Sequence, residues 1–372
     1  MSAPEVPVFG GGVRAAPAAS GLSPEVVARL VWVPSFVDLG CDPGFPGFPA
    51  RETRESLVAA ARLGGFGHLV LSPRVDPVVD TPEHVARMDV GLSAVRLHAV
   101  GALTIGLEGK ELAEVGLLKR AGAVALSDGG LAMADSVVLQ NALEYAREFA
   151  LPVLLRPADA FLDAVGVIHD SPIATHLGLR GNAAATEQIG VARAIALCRA
   201  TGATVHLTHL GTAYAVEAIA AAQREGLPLT GSVPARNLLL DESTLDDGRY
   251  DARLRLHPPL RSAADRAALI DGVRAGVLWL SADHQPRAPE EKDHEFERAV
   301  PGSPGLASAF AAALTALGEL GVVVDALCRG PRRLLRLPEA SFALVDPAAP
   351  YAAPLTDALA GTPLRGQVLD LA

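Results

Sequence analysis

The feature that most constrains this chain is an alternation. Eight short apolar runs, each ending in a polar or turn residue, are separated by segments of helical periodicity. The runs span 31–39, 66–73, 96–103, 122–128, 151–157, 204–210, 227–234 and 277–283. Most are apolar at nearly every position, as strands buried on both faces must be. The spacing predicts helices over 51–63, 109–120, 136–150, 185–202, 215–226, 261–276 and 306–321. Strands alternating with helices over most of 372 residues predict a (β/α)8 barrel. A doubly wound nucleotide-binding sheet would need a glycine-rich phosphate turn after its first strand, and no GxGxxG follows residue 39. The barrel is expected over 31–337. Short β-like pieces in 1–30 and 338–372 are expected to pair into a small β-sandwich domain made from both termini.

Composition excludes several function classes. The net charge of −10 leaves no basic footprint for nucleic acid. No apolar run reaches the roughly 18 residues of a membrane span. The three cysteines, Cys41, Cys198 and Cys328, are dispersed and form neither a disulfide framework nor a CxxC metal motif. With no basic and apolar leader in MSAPEVPVFGGG, the protein is expected to be soluble and cytoplasmic. Lys110, Lys119 and Lys292 are the only lysines, so chemistry through a lysine in a buried strand has almost no candidates.

In a barrel of this kind the chemistry sits at the C-terminal strand ends. Those ends carry Asp38 to Asp42, Ser72-Pro73-Arg74, Ser127-Asp128-Gly129, Arg156-Pro157, His206 to His209, Ala235-Arg236 and Asp283 to Arg287. His206 and His209 lie three apart on a strand, so only one of them can face the barrel mouth. Cys41 has acidic neighbours, which disfavour a reactive thiolate. The run EEKDHEFER (290–298) is expected to be a solvated helix face, or a lid over the mouth.

Several blocks, in order, resemble the class I dihydroorotases among the cyclic amidohydrolases. PSFVDLGCDPGFPGFPARETRES is similar to PGFIDxHxHxRxPGxxxKExxxS, SPRVDPVVD to PNTxPxxD, and HLTHLGTA to HxxHxSTA. HPPLRSAADRAAL resembles NPPLRxxxDxxAL, and ADHQPRAPEEKDHEFERAVPGSPGLASA resembles TDHAPHxxxEKxxxFxxAxxGIxGLExA. The resemblance implies a catalytic zinc held by the HxH pair, a strand-four carboxylate, histidines ending strands five and six, and an aspartate ending strand eight.

Laid on those positions, this sequence departs. The HxH positions are Gly40 and Asp42, and the strand-five histidine is Arg156; His209, Asp283 and one carboxylate at Asp128 remain. The substrate arginine after HxH falls at Gly44, the asparagine before TxP at Arg74, the NPPLR asparagine at His257, and the last histidine of DHAPH at Arg287. The paired histidines after strand seven are Ala235 and Arg236. The bridging lysine of the hydantoinase branch has no counterpart near Asp128.

A guanidinium cannot deprotonate to bind a metal. Arg156 is therefore expected to stand in for the cation, pairing with Asp283 and with Asp128. The expectation is a non-catalytic dihydroorotase-like protein with no cofactor and no catalytic residue. What the resemblance implies is a structural partner of aspartate carbamoyltransferase in pyrimidine synthesis, with self-association left open. Two alternatives stand beside it. One is an active zinc hydrolase of cyclic amides on Asp42, Asp128, His209 and Asp283, with Asp283 as base. The other is a small-anion binder on Arg74, Arg156, Arg236 and Arg287.

Overall fold

A computed structural model describes residues 5–15, 23–88, 91–92, 95–338 and 341–371. Eight parallel strands follow one another around a single sheet: β1 (Phe36–Cys41), β2 (Phe66–Leu71), β3 (Val95–Ala102), β4 (Ala125–Ser127), β5 (Val153–Leu155), β6 (Val205–Leu207), β7 (Leu229–Pro234) and β8 (Leu278–Ser281). The first and last strands meet just beyond their ends. Ala282 N donates to Asp38 Oδ1 at 2.9 Å and Asp42 N donates to the His284 carbonyl at 2.9 Å, which closes the barrel. All six residues of β2 are buried because alternate side chains serve two cores. Val70 joins Val37, Leu39, Val100, Ala125 and Leu154 inside the barrel, while Leu69 and Leu71 face the helical layer.

Helices that flank the barrel include α1 (Arg54–Gly64), α2 (Pro82–Met88), α3 (Val115–Ala121), α4 (Ser136–Glu148), α5 (Ala185–Thr201), α6 (Ala213–Arg224), α7 (Ala263–Arg274), α8 (Leu306–Leu317) and α9 (Gly330–Leu335), with shorter helical segments in the loops. Side-chain caps explain several of their starts: Thr53 with Ser56, Asp135, Thr212, and Ser262 with Asp265. The expected helix over 109–120 forms only in its second half. Gly109 adopts φ 69°, and the residues after it bridge back instead, with Leu112 paired to Thr104. α2 carries no expected counterpart in the sequence reading. Its seven residues bury only Val85 and Met88, too few to show a helical period.

The strand expected over 31–39 is two strands. Val31–Pro34 leaves the barrel and pairs with Phe342–Tyr351, which in turn pairs with Leu364–Leu371 in an antiparallel sheet. A ribbon of Glu5–Pro7 and Val13–Ala15 joins it through a bridge from Val8 to Trp32. The terminal β-structure is thus a three-stranded sheet with a two-stranded ribbon. In the expected solvated helix at 290–298, only Pro289–Lys292 is helical, and Phe296 is buried.

Candidate functional site

The strand ends surround a cavity of about 420 Å3. Its wall includes Gly40 and Asp42 after β1, Ser72 and Arg74 after β2, Gly129 and Gly130 after β4, Arg156 after β5, His209 after β6, and Gln285 and Arg287 after β8, with His257 and Arg51 from longer loops.

Gly40 offers no donor. A β-carbon there would meet Ser281 at an ordinary 3.5 Å, so the backbone has room for a side chain that the sequence does not supply. The Asp42 carboxylate forms an ion pair with Arg74. Gly44 adopts φ 76° with Arg51 and Phe48 against it, a conformation that an arginine would enter only with strain. Arg51 fills that region itself, lying over the Phe48 ring at 4.4 Å and pairing with Glu291.

Arg156 does not pair with Asp283 or Asp128, contrary to the expectation from sequence. Its Nη1 and Nη2 donate to both oxygens of Asp163, at 2.9 and 2.5 Å, and its Nε donates to the Gly130 carbonyl at 2.5 Å. The reason is reach. Asp163 lies one helical turn into the β5 loop, on the segment Ala160–Asp163 capped by Asp159, and meets the guanidinium fork edge-on. His257 Nε2 completes the group, 3.2 Å from Asp163 Oδ2. Burial alone would raise the Asp163 pKa, but hydrogen bonds from His257 and Arg156 hold it well below the usual carboxylate range.

Asp283 is paired with His209 instead. His209 Nε2 is 2.9 Å from Asp283 Oδ1 and its Nδ1 is 2.8 Å from Thr208 Oγ1. Gln285 Nε2 donates to the same Asp283 oxygen at 2.5 Å, and Arg236 Nη1 lies 3.5 Å from the other. Burial opposes ionisation of Asp283, yet His209 and Arg236 together bring its pKa below the ordinary value. Both His209 and Asp283 have positive φ, 58° and 47°. Backbone strain of this kind costs about 1–3 kcal/mol per residue and is held only by the surrounding structure.

His206 faces into the barrel, bonded to Thr230 Oγ1 at 2.8 Å and Ser232 Oγ at 3.0 Å, and burial lowers its pKa to about 3. Asp128 is absent from the cavity wall; it borders a separate groove beside Thr104 and Met133 and accepts from Gly130 N at 3.0 Å. Burial raises its pKa to about 7, against the attraction of Arg156. The Cys41 thiol is buried and pushed well up by that burial and by Asp38.

The expected anion set is likewise revised. Arg236 lies behind Asp283, donating to the Ala282 and Asp283 carbonyls; of the other three, all on the wall, Arg156 is committed to Asp163, Arg74 pairs with Asp42, and Arg287 Nε donates to the Pro301 carbonyl at 2.7 Å. Sequence reasoning missed Asp163 and Arg51, and named Gln285 and Asp38 only as strand-end positions without a role. Asp38 Oδ1 accepts from Ala282 N and Gly40 N, and its burial raises the pKa to about 6.

A zinc ion does not fit these residues. Zinc chemistry needs about three nitrogen, sulfur or oxygen ligands and an open position. Here one position has no side chain, one is a saturated guanidinium, and Asp42 is held by Arg74. Among the described residues no group of three His, Cys, Asp or Glu side chains is arranged to hold a metal.

Comparisons with known proteins agree with the architecture. The Dihydro-orotase-like family model matches residues 29–214. A dihydroorotase of Anaeromyxobacter sp. is 39% identical over 327 residues, covering 86% of this chain and 76% of the relative. A dihydroorotase of Pelotomaculum thermopropionicum is 36% identical over 340 residues, covering 87% and 79%. Among solved structures, the L-hydantoinase of Arthrobacter aurescens superposes with a TM-score of 0.79 over 96% of this chain and 88% of that one, at 17% identity. The Saccharomyces cerevisiae dihydroorotase in complex with 5-fluoroorotic acid gives 0.71 over 92% and 99%, at 12% identity. With the barrel, its mouth and these relatives together, the chain belongs to the dihydroorotase-like family.

Proposed function

We propose that this chain is a non-catalytic member of that family, a barrel maintained for its shape that serves as a structural partner of aspartate carbamoyltransferase. The observation that carries the first half is the Arg156–Asp163 pair. It puts a permanent cation, hydrogen-bonded at each of its three nitrogens, where the family resemblance calls for a neutral donor to zinc, and a dication a few Å away would be repelled. Gly40 supplies no side chain and Asp42 is held by Arg74, so neither HxH position offers a free donor. Support for the second half is the intact scaffold: large apolar clusters fill the helical layer and the barrel interior while several strand-end positions depart from the family pattern, a combination suited to a surface that another protein uses.

A second reading, an active hydrolase with a reduced zinc site, is favoured by the dihydroorotase names of the relatives and by the His209–Asp283 pair at the mouth. One experiment separates the two. The purified chain is mixed with aspartate carbamoyltransferase of the same organism and followed by size-exclusion with light scattering, and the free chain is assayed for cyclisation of carbamoyl aspartate with zinc added. Co-elution without turnover by the free chain is the expected result. Separate elution contradicts the partnership, and zinc-dependent turnover establishes the second reading.

A further inference from the structure

At the opposite end of the barrel a second cavity, of about 820 Å3, opens under β8. The floor there is closed by α9 and the residues after it, whose Leu334, Leu335 and Leu337 pack on the barrel's interior cluster. The other face of the same segment is cationic. Arg329, Arg332, Arg333 and Arg336 recur at helical spacing and line the cavity with Arg274. Among the described residues the only carboxylate on the wall is Asp325, already paired with Arg329 at 2.8 Å. In a chain of net charge −10 this is a local reversal of sign.

The arginines divide into two kinds. Arg332 is structural: its Nη2 donates to the carbonyl and hydroxyl of Ser35, at 2.9 and 2.8 Å, and its Nε lies 3.2 Å from Cys328 Sγ. Arg333 and Arg336 are exposed, and among the described residues neither guanidinium has a hydrogen-bond or ion-pair partner. Arg336 also caps α9 at φ 55° and ψ 40°, the left-handed position where glycine is the unstrained residue. Packing does not ask for an arginine there. The indole of Trp279, stacked on His206 at 5.3 Å and in contact with Gly330, forms the back wall.

We propose that this floor cavity binds a phosphate-bearing small molecule, held by Arg333 and Arg336 with Arg274 and Arg329 completing the cationic rim. A carboxylate presents two oxygens in one plane and a single charge. A phosphoester or pyrophosphate presents several oxygens around a tetrahedral centre and about two charges, which suits guanidinium forks arriving from α7 and from α9. The cavity lies at the end of the barrel away from the mouth, so the inference does not depend on whether the mouth is catalytic.

The test uses the full chain at low ionic strength with inorganic phosphate, pyrophosphate and ATP as probes and succinate as the carboxylate control. Trp279 is one of two tryptophans, and the other, Trp32, is buried in the terminal sheet, so intrinsic fluorescence reports on this wall. Pyrophosphate or ATP is expected to change the emission and raise the Tm, with succinate at least tenfold weaker. R333Q is expected to weaken phosphate binding at least tenfold. R336G is expected to weaken it similarly while raising the Tm of the free protein, because the backbone strain is relieved. No response to any phosphate probe, an equal response to succinate, or binding unchanged in both variants overturns the proposal.

Discussion

Arg156 and Asp163 are both largely buried, so neither can be removed without stranding the other's charge. R156A is expected to lower stability at neutral pH by about 3–5 kcal/mol, whereas R156M combined with D163L should recover most of the loss. Urea titrations of the single and double variants check this; additive losses would show that the two groups do not act as a pair. The same pair sets an acid limit. Since the folded pKa of Asp163 lies below its unfolded value, its contribution is present above the ordinary carboxylate range and is lost as pH falls through the folded pKa. Asp128 has the opposite sign. Its folded pKa of about 7 exceeds the unfolded value near 4, so its ionisation erodes stability as pH rises between the two. D128N should therefore be more stable than the parent at pH 8, on the order of 2 kcal/mol, with little difference at pH 4. A destabilising D128N at pH 8 would mean that Asp128 is ionised and held by a cation in the folded state.

At the scale of elements, the barrel strands were legible because burial on both faces demands apolar runs, and each run ended within three residues of a strand end. The helices were legible where a capping residue preceded an amphipathic stretch. What stayed hidden has physical causes. Nothing in VWVPSFVDL marks Ser35 as the point where the chain passes from the terminal sheet into the barrel, because both sheets want apolar residues. Nothing in 109–114 distinguishes a helix start from a bridge to Thr104. The site was legible as a set of positions, but not as a set of bonds. The partner of Arg156 depends on how a six-residue loop folds back, which spacing does not encode. Close approach of α1 and α8 offers a test of the packing. A β-carbon at Gly64 would fall on the Leu306 carbonyl, so G64A is expected to cost more than about 2 kcal/mol by thermal melting, although alanine has the better helix propensity. An unchanged Tm would place the two helices farther apart than described.

Across the whole molecule, fold and chemistry come apart. The barrel is shared with hydantoinase and dihydroorotase structures at 12–17% identity, while Gly40, Asp42 and Arg156 stand at three strand-end positions where the resemblance implies histidine ligands, and Asp128, His209 and Asp283 remain at the others. A fold is a scaffold for many sites, and only the site speaks for an activity. The terminal sheet packs on the barrel through α8, which contacts the strand Leu364–Leu371. Among the described residues no helix is long and apolar enough to cross a membrane. The non-catalytic reading proposed above requires that this mouth hold no catalytic zinc. The most direct measurement is zinc stoichiometry by elemental analysis after dialysis of the purified protein against micromolar zinc, alongside the G40H/D42H/R156H variant. The expected result is well under 0.1 zinc per parent chain, with a rise in the variant, whose three histidines restore donors at the strand ends. About one zinc per parent chain, lost on substitution of His209 or Asp283, would overturn the non-catalytic reading.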